Sequence, residues 1–198
     1  MPMRIIAGKW RGMKLNGGKF EDLRPLTDRI KESVFGILGA AVENSRVLDL
    51  YAGSGSIGIE ALSRGAQRVV FVERSLLVAK LIRDNLTRTK CDPGKYEVVV
   101  LDVQKTLPLF SRRQLRFEII FADPPFRTPI GEQLLASLSH FNLLVRKGIL
   151  VYRHHKKETV PDKIAGLVLE RSKIYGDSVV EFYEEAEGNA NSNLSGNV

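Results

Sequence analysis

Asp49-Leu50-Tyr51-Ala52-Gly53-Ser54-Gly55-Ser56-Ile57-Gly58 is the stretch that decides the fold. It lies where the apolar run Arg46–Ala52 gives way to Gly55–Arg64, which has helical spacing and is closed by Gly65. The segment therefore reads as strand, glycine turn and helix, with G-x-G-x-x-G at Gly53, Gly55 and Gly58. Glycines in such a turn accept positive φ and let a ligand approach the backbone without meeting a Cβ. The helix start directs N–H groups toward an anionic group.

The pattern continues toward the C-terminus. Arg68–Glu73 reads as a second strand, and Ser75–Thr89 as a helix with Leu77, Leu81, Ile82 and Leu86 along one side. Tyr96–Leu101 reads as a third strand, Gln104–Phe110 as a short helix and Phe117–Ala122 as a fourth strand. Thr128–Val145 reads as a helix on Ile130, Leu134, Leu135 and Leu138, and Gly148–Arg153 as a fifth strand. Leu167–Ile174 and Val179–Tyr183 flank Tyr175-Gly176-Asp177-Ser178, the pattern of a closing antiparallel hairpin. Short apolar runs alternating with helical patterns predict an α/β, doubly wound, Rossmann-like sheet, mostly parallel and covered on both faces.

Toward the N-terminus, Ile30, Val34, Ile37 and Leu38 form one helical stripe, with Arg29, Lys31, Glu32 and Ser33 on the other face. Thr27 or Asp28 is the candidate cap. Arg4-Ile5-Ile6 and Met13-Lys14-Leu15, either side of Gly8 and Gly12, predict a small β-hairpin. The expected organisation is a hairpin and helix over residues 1–40, the sheet domain over 41–187, and a disordered polar tail over 188–198.

Composition narrows the function. The chain has 198 residues, 43% hydrophobic and 27% charged, which suits a folding chain. It contains no apolar stretch long enough for a membrane-spanning helix. The N-terminus lacks the apolar core of a secretory signal, and a single cysteine, Cys91, fits a reducing compartment. The expected location is the cytoplasm. Thirty Lys and Arg against 23 Asp and Glu give +7. Residues 1–20 carry Arg4, Lys9, Arg11, Lys14 and Lys19 and no acid. A basic chain with a basic arm attracts a polyphosphate partner; the competing reading is a solvated basic surface.

In doubly wound sheets ligands sit at the C-terminal strand ends, near the point where strand order reverses. That directs attention to Ala52, Glu73, Asp102, Asp123 and Arg153. Glu73, with Arg74 beside it, stands 20 residues after Gly53 and can accept both hydroxyls of a ribose. Asp102 can accept from an adenine amino group while the Val103 N–H faces a ring nitrogen. These features predict an adenosine-containing cofactor, either a dinucleotide or S-adenosylmethionine. Asp49 favours the second, since its carboxylate can order the glycine loop or meet the cofactor's amino-acid end.

Asp123-Pro124-Pro125-Phe126 breaks the fourth strand at the same sheet edge. Two prolines fix φ and remove two donors, so the turn is rigid and presents acceptors. The Asp123 carboxylate and the Pro124 carbonyl match the two hydrogens of a planar exocyclic amine, and Phe126 offers a stacking face. Such an amine is a poor nucleophile, because its lone pair is delocalised into the ring. Two fixed acceptors can turn that lone pair toward a methyl donor, so catalysis is mostly alignment.

These motifs together resemble the class I S-adenosylmethionine-dependent methyltransferases that act on amino nitrogens. Arg4-Ile5-Ile6-Ala7-Gly8-Lys9-Trp10-Arg11-Gly12 and Leu23-Arg24-Pro25-Leu26-Thr27-Asp28-Arg29-Ile30-Lys31-Glu32 narrow the resemblance to the RsmD family, bacterial guanine-N2 methyltransferases of small-subunit ribosomal RNA. The resemblance covers roughly residues 3–185. It implies that Asp49, Ala52, Gly53, Ser54, Gly55 and Gly58 line S-adenosylmethionine, that Glu73 and Arg74 lie at its ribose, and that Asp102 and Val103 hold its adenine. It implies that Asp123, Pro124 and Pro125 receive the amine and Phe126 packs on the guanine. The hairpin with Lys9, Trp10 and Arg11 would contact RNA, and Arg24, Thr27 and Arg29 would lie beside the cofactor pocket or the RNA entrance. Arg127, directly after the double-proline turn, is by its position a candidate RNA phosphate contact. The partner implied is ribosomal RNA, free or within the small subunit, with a monomeric enzyme, no metal and no membrane. One departure stands out: the family often carries an acid at the end of the fifth strand, where this chain has Arg153.

Other residues have blander readings. His154 and His155, beside Lys156 and Lys157, read as a basic rim rather than a metal site. Trp10 can stack on a base or cover the core. Arg112 and Arg113 read as a solvated face, and Cys91 as an inert thiol. Two rival functions share the motifs: an amino-methyltransferase for DNA adenine or protein glutamine, and a non-catalytic RNA-binding assembly factor.

Overall fold

The computed structural model describes residues 3–18, 26–125 and 129–186. Its strands are β1 (Arg46–Leu50), β2 (Arg68–Glu73), β3 (Tyr96–Val100), β4 (Phe117–Ala122), β5 (Leu144–His155), β6 (Lys163–Ile164), β7 (Leu167–Tyr175) and β8 (Ser178–Glu185). Its α-helices are α1 (Asp28–Leu38), α2 (Ser56–Ser63), α3 (Leu76–Thr89), α4 (Val103–Arg112) and α5 (Gly131–His140).

All strands belong to one sheet, in the order β3-β2-β1-β4-β5-β8-β7-β6. The first five run parallel, β8 runs against β5, and β7 and β8 form the closing hairpin. This is the mostly parallel, doubly wound architecture that the alternating pattern predicts. Alternation of side chains along a strand splits the core in two. Val47 of β1 and Val69 and Phe71 of β2 pack with α1, α2 and α3 through Val34, Phe35, Ile59 and Ile82. Leu48, Leu50, Val70 and Ile120 pack on the opposite face with Leu107 and Phe110 of α4 and Leu134 and Leu135 of α5. From β1 the chain steps outward through β2 and β3, then returns to lay β4 on the other side of β1. The order therefore reverses between β1 and β4, and both strands deliver their C-terminal ends there.

The N-terminal arm turns back on itself as expected, but its ladder is the single bridge Arg4–Lys14 rather than two extended strands. Ile5 N donates to Met13 O at 3.0 Å and Leu15 N to Met3 O at 2.9 Å. Met3, Ile5 and Leu15 enter the core layer that contains α1 and α2.

Three helical expectations need correction. Lys31, expected on the polar face of α1, is fully buried. Its Nζ lies 3.5 Å from Glu60 Oε2 and donates to Arg4 O at 2.5 Å. Glu60, equally buried, also accepts from Ile6 N at 2.7 Å, Ala7 N at 3.0 Å and Arg64 Nε at 2.8 Å. The arm covers this side of α1, which helical spacing cannot register. Leu77, expected on the buried side of α3, is 70% exposed. The buried stripe is instead Val78, Leu81, Ile82, Asn85 and Leu86. Finally, α5 stops at His140 instead of Val145. Asn142 takes a left-handed φ of 49°, and the apolar run that follows becomes the start of a 12-residue β5.

Burial lowers the pKa of the Lys31 ammonium, and the charges of Glu60 and Asp28 oppose that shift. Removing one member of such a buried pair strands the other. Lys31→Met is expected to lower stability by about 3 kcal/mol, read as a reduced denaturant midpoint at unchanged slope.

Candidate active site

The glycine loop is anchored from beneath by an acid. Asp49 sits within β1, 3% exposed, and its Oδ2 accepts from Gly58 N at 3.0 Å. A strand side chain thus satisfies one of the N–H groups that the first turn of α2 leaves unpaired. Gly58 has to be glycine: an added Cβ would lie 2.2 Å from Phe71 Cε1 and 2.8 Å from Val69 Cγ1. The helix start is therefore pressed against β2. Tyr51, where the chain leaves β1, has φ of 57°, a conformation that costs a non-glycine residue roughly 1 kcal/mol. Gly55 N donates to Ala52 O at 2.8 Å, closing the turn.

Neighbouring elements fix the rim of the loop. Gly53 N donates to Glu73 Oε2 at 3.1 Å, and Ser75 N donates to Glu73 Oε1 at 2.9 Å. Asn85 of α3, fully buried, donates to Ser54 O at 3.0 Å and Asn16 O at 2.9 Å, and accepts from Asn16 N at 2.8 Å. Ser54 Oγ points at Met3 Sδ, 3.2 Å away. The arm and the glycine loop are thus joined. Arg74 is exposed beside Glu73. At the end of β3, Asp102 caps α4 by accepting from Gln104 N at 2.9 Å, with Val103 buried in the first turn. Each of these carboxylates keeps lone pairs beyond its backbone contacts.

Asp123 emerges from β4 one residue past the Leu50–Ala122 register pair, beside the loop that leaves β1. Pro124 is buried and Pro125 exposed. Arg153 of β5 points its Nη1 between the two carboxylate oxygens of Asp123, 2.8 Å from Oδ2 and 3.1 Å from Oδ1. Its Nη2 and Nε lie 3.1 and 3.4 Å from Ser178 Oγ. Phe126 and Arg127, like Arg24 and the tail 188–198, fall outside the described residues.

The electrostatics of the three strand-end acids are coupled. Burial holds the Asp49 carboxyl well above the usual carboxylate range; the Gly58 N–H opposes this, and the charges of Asp123 and Glu73 add to it. Burial also raises Asp123, and Arg153 draws it back down. The Tyr51 hydroxyl is pushed up to about 12 by burial and by the charge of Asp102. Acidic side chains, one of them deeply buried, therefore gather beside the glycine loop, an arrangement that a nearby positive charge would relieve.

The residues expected to face RNA lie on the arm and at the start of α1. Lys9, Arg11, Thr27 and Arg29 are exposed. Thr27 caps α1 by accepting from Ile30 N at 3.3 Å. Trp10 is half-buried against the core, with Lys9 Nζ 5.9 Å from its ring centroid. Gly8 lets the arm pass over the end of α2, because a Cβ there would meet Ser63 O at 1.9 Å. His154 is not part of a basic rim: it is buried, with Nε2 3.5 Å from Glu181 Oε1. His155 is half-buried, and Lys156 and Lys157 are exposed. Burial raises the Cys91 thiol. Among the described residues no group of three or more His, Cys, Asp or Glu side chains is arranged to hold a metal.

Sequence reasoning missed Glu60, Asn85 and Ser178. Glu60 and Asn85 are polar residues on predicted helices and Ser178 lies in a predicted turn, and only the packing of distant segments shows that they are buried. Arg153 was marked by its strand-end position, but nothing in the sequence pairs it with Asp123.

A protein-family profile described as "Conserved hypothetical protein 95" matches residues 3–184. The Ribosomal RNA small subunit methyltransferase D of Haemophilus influenzae is 40% identical over 79% of this chain and 80% of its own length. The solved structure of yhhF from Escherichia coli superposes with a TM-score of 0.80 at 29% identity, covering 94% of this chain and 99% of that one. An RNA methyltransferase from Salinibacter ruber, solved with S-adenosyl-L-homocysteine, shares the fold at 18% identity and a TM-score of 0.63, over 87% of this chain and 100% of that one.

An acid with a raised folded-state pKa binds its proton more tightly when folded than when unfolded. The free protein therefore loses stability as pH rises from the ordinary carboxylate range through the folded-state value. Asp49→Asn keeps an acceptor for Gly58 N and removes the titrating charge. Its melting temperature, measured from pH 4 to pH 8 without ligand, is expected to gain on the parent as pH rises.

Proposed function

We propose, because the chain belongs to the RsmD family, that it transfers a methyl group from S-adenosylmethionine to the exocyclic N2 of a guanine in small-subunit ribosomal RNA. The observation that carries this reading is the meeting, where strand order reverses, of a glycine loop anchored by Asp49 and a rigid Asp123-Pro124-Pro125 turn. The first suits an adenosine-containing cation donor and the second suits a planar amine.

The acids beside the glycine loop suit the donor by charge. Asp49 is desolvated and feels two further carboxylates, so a ligand bearing a sulfonium and an ammonium relieves that concentration of negative charge. Gly53, Ser54 and Gly55 offer close backbone approach, Ala52 and Gly58 frame the loop, Glu73 with Arg74 suits a ribose, and Asp102 with Val103 suits an adenine. When bound, the donor supplies a methyl carbon activated by its positive sulfur.

The chain's own residues prepare the acceptor. Asp123 and the Pro124 carbonyl each accept one hydrogen of the guanine amine, which fixes the nitrogen and turns its lone pair toward the donor side. The Asp123 charge stabilises the positive charge that develops on that nitrogen. Pro125 keeps the turn rigid, and Phe126 offers the guanine a stacking face. A paired, stacked guanine cannot enter this turn, so the substrate base lies in a loop or is extruded. Lys9, Trp10, Arg11, Thr27 and Arg29, exposed or half-buried on the arm and at the start of α1, supply phosphate and stacking contacts to the RNA, and the reading assigns RNA contacts to Arg24 and Arg127 as well. The same reading makes the protein a cytoplasmic monomer acting on free rRNA or the small subunit.

The test is to incubate the purified protein with labelled S-adenosylmethionine and, in parallel, unmodified small-subunit rRNA and small subunits assembled from it, then digest the RNA to nucleosides for mass spectrometry and count label in the protein fraction. N2-methylguanosine is expected. Methylated adenine, methylated protein or no product would overturn the assignment. Asp123→Ala is expected to cut turnover by roughly a hundredfold or more while calorimetry finds donor affinity changed by less than about threefold. Lys9→Ala combined with Arg11→Ala is expected to weaken RNA binding most at low salt. The slope of log affinity against log salt should fall in magnitude by roughly 1.

A further inference from the structure

The turn that bears Asp123 is itself held from the side. We propose that Arg153 is a positioning residue for methyl transfer: clamped by Ser178, it fixes the orientation of the Asp123 carboxylate and keeps it an acceptor of hydrogen bonds rather than of protons. This rests on the methyltransferase reading above.

The geometry has three parts. First, Nη1 of Arg153 sits between both oxygens of Asp123, at 2.8 and 3.1 Å, so the carboxylate cannot rotate without breaking a charge-assisted contact. Second, the other edge of the guanidinium meets Ser178 Oγ through Nη2 at 3.1 Å and Nε at 3.4 Å. Ser178 opens β8 and is level with His155 in the antiparallel register, so the clamp is built on two paired strands. Third, Arg153 is 7% exposed, so its contacts are little screened by water. A planar guanidinium can reach Asp123 with one edge and Ser178 with another; a lysine ammonium is a point charge and cannot.

Nη1 occupies one lone-pair direction on each oxygen and leaves others for the substrate amine. Among the described residues, Arg153 on β5 is the charged group that shifts Asp123, while Asp49 on β1 feels the Asp123 charge. Burial favours protonation of Asp123, which would convert one acceptor into a donor aimed at the amine. Arg153 opposes this. The proton released from the methylated nitrogen then passes to water, and Asp123 returns unchanged to the next turnover.

The decisive variants are Arg153→Gln and Arg153→Lys, with two readouts. Carbon-13 NMR titration of the Asp123 side chain, assigned by its loss in Asp123→Asn, needs no donor, substrate or activity. The midpoint is expected to move to higher pH in Arg153→Gln and to stay near the parent value in Arg153→Lys. In turnover assays at saturating substrates, kcat of Arg153→Gln at pH 7 is expected to fall by roughly ten- to a hundredfold, with the acidic limb of its pH profile moved the same way as the NMR midpoint. Arg153→Lys, the fallback should Arg153→Gln not fold, is expected to keep the limb and to lose several-fold in kcat. KM for RNA should stay within about twofold in both. An unmoved NMR midpoint in Arg153→Gln, or an unchanged kcat in both variants, overturns the proposal. Failure of the parent protein to methylate rRNA overturns the functional reading instead, and the NMR titration still decides whether Arg153 governs the ionisation of Asp123.

Discussion

The bond from Gly58 N–H to the buried carboxylate of Asp49 is the constraint on which the rest of the site depends. It ties the first turn of α2 to the floor of β1, so the glycine loop between them has both ends fixed. Burying a carboxylate in a sheet is costly unless something answers its charge. Here a backbone donor does so in part, and the remaining imbalance raises the affinity of Asp49 for a proton. In the function proposed above, a cationic donor would answer the same charge.

A second buried carboxylate performs a related task beneath the N-terminal arm. Glu60 receives two backbone N–H groups of the arm, the ammonium of Lys31 and the guanidinium of Arg64. The arm is a poor structure by itself, with one bridge and few hydrogen bonds of its own. It is ordered by α1 and α2, and Asn85 carries that order on to the backbone of the glycine loop. The basic surface of the arm and the glycine loop are therefore parts of one connected body. Lys9 and Arg11 are thereby held in fixed register with the C-terminal ends of the parallel strands.

The third acid, Asp123, is governed by a base. Arg153, seated on Ser178, sets where the Asp123 carboxylate points, whereas Asp49 and Glu60 are held by backbone N–H groups. The closing hairpin thereby contributes more than an edge to the sheet, because β8 carries the serine that seats the guanidinium.

Much of this is legible in the residues. The runs RVLDL, RVVFVE and FEIIFA carry consecutive apolar residues on both faces, and only a sheet covered on both faces buries such runs. Gly53, Gly55 and Gly58 after the first run, and two prolines after the fourth, determined the turns, because backbone freedom and its loss are properties of single residues. Those local facts were enough to indicate the fold, the candidate loop and the acids at the strand ends. Only the tertiary structure decided that Lys31, Glu60, Asn85 and His154 are buried, that Leu77 is not, and that Arg153 grips Asp123. Each of these depends on which distant segment lies against a given face, and the period of a helix or strand reports only that a face exists.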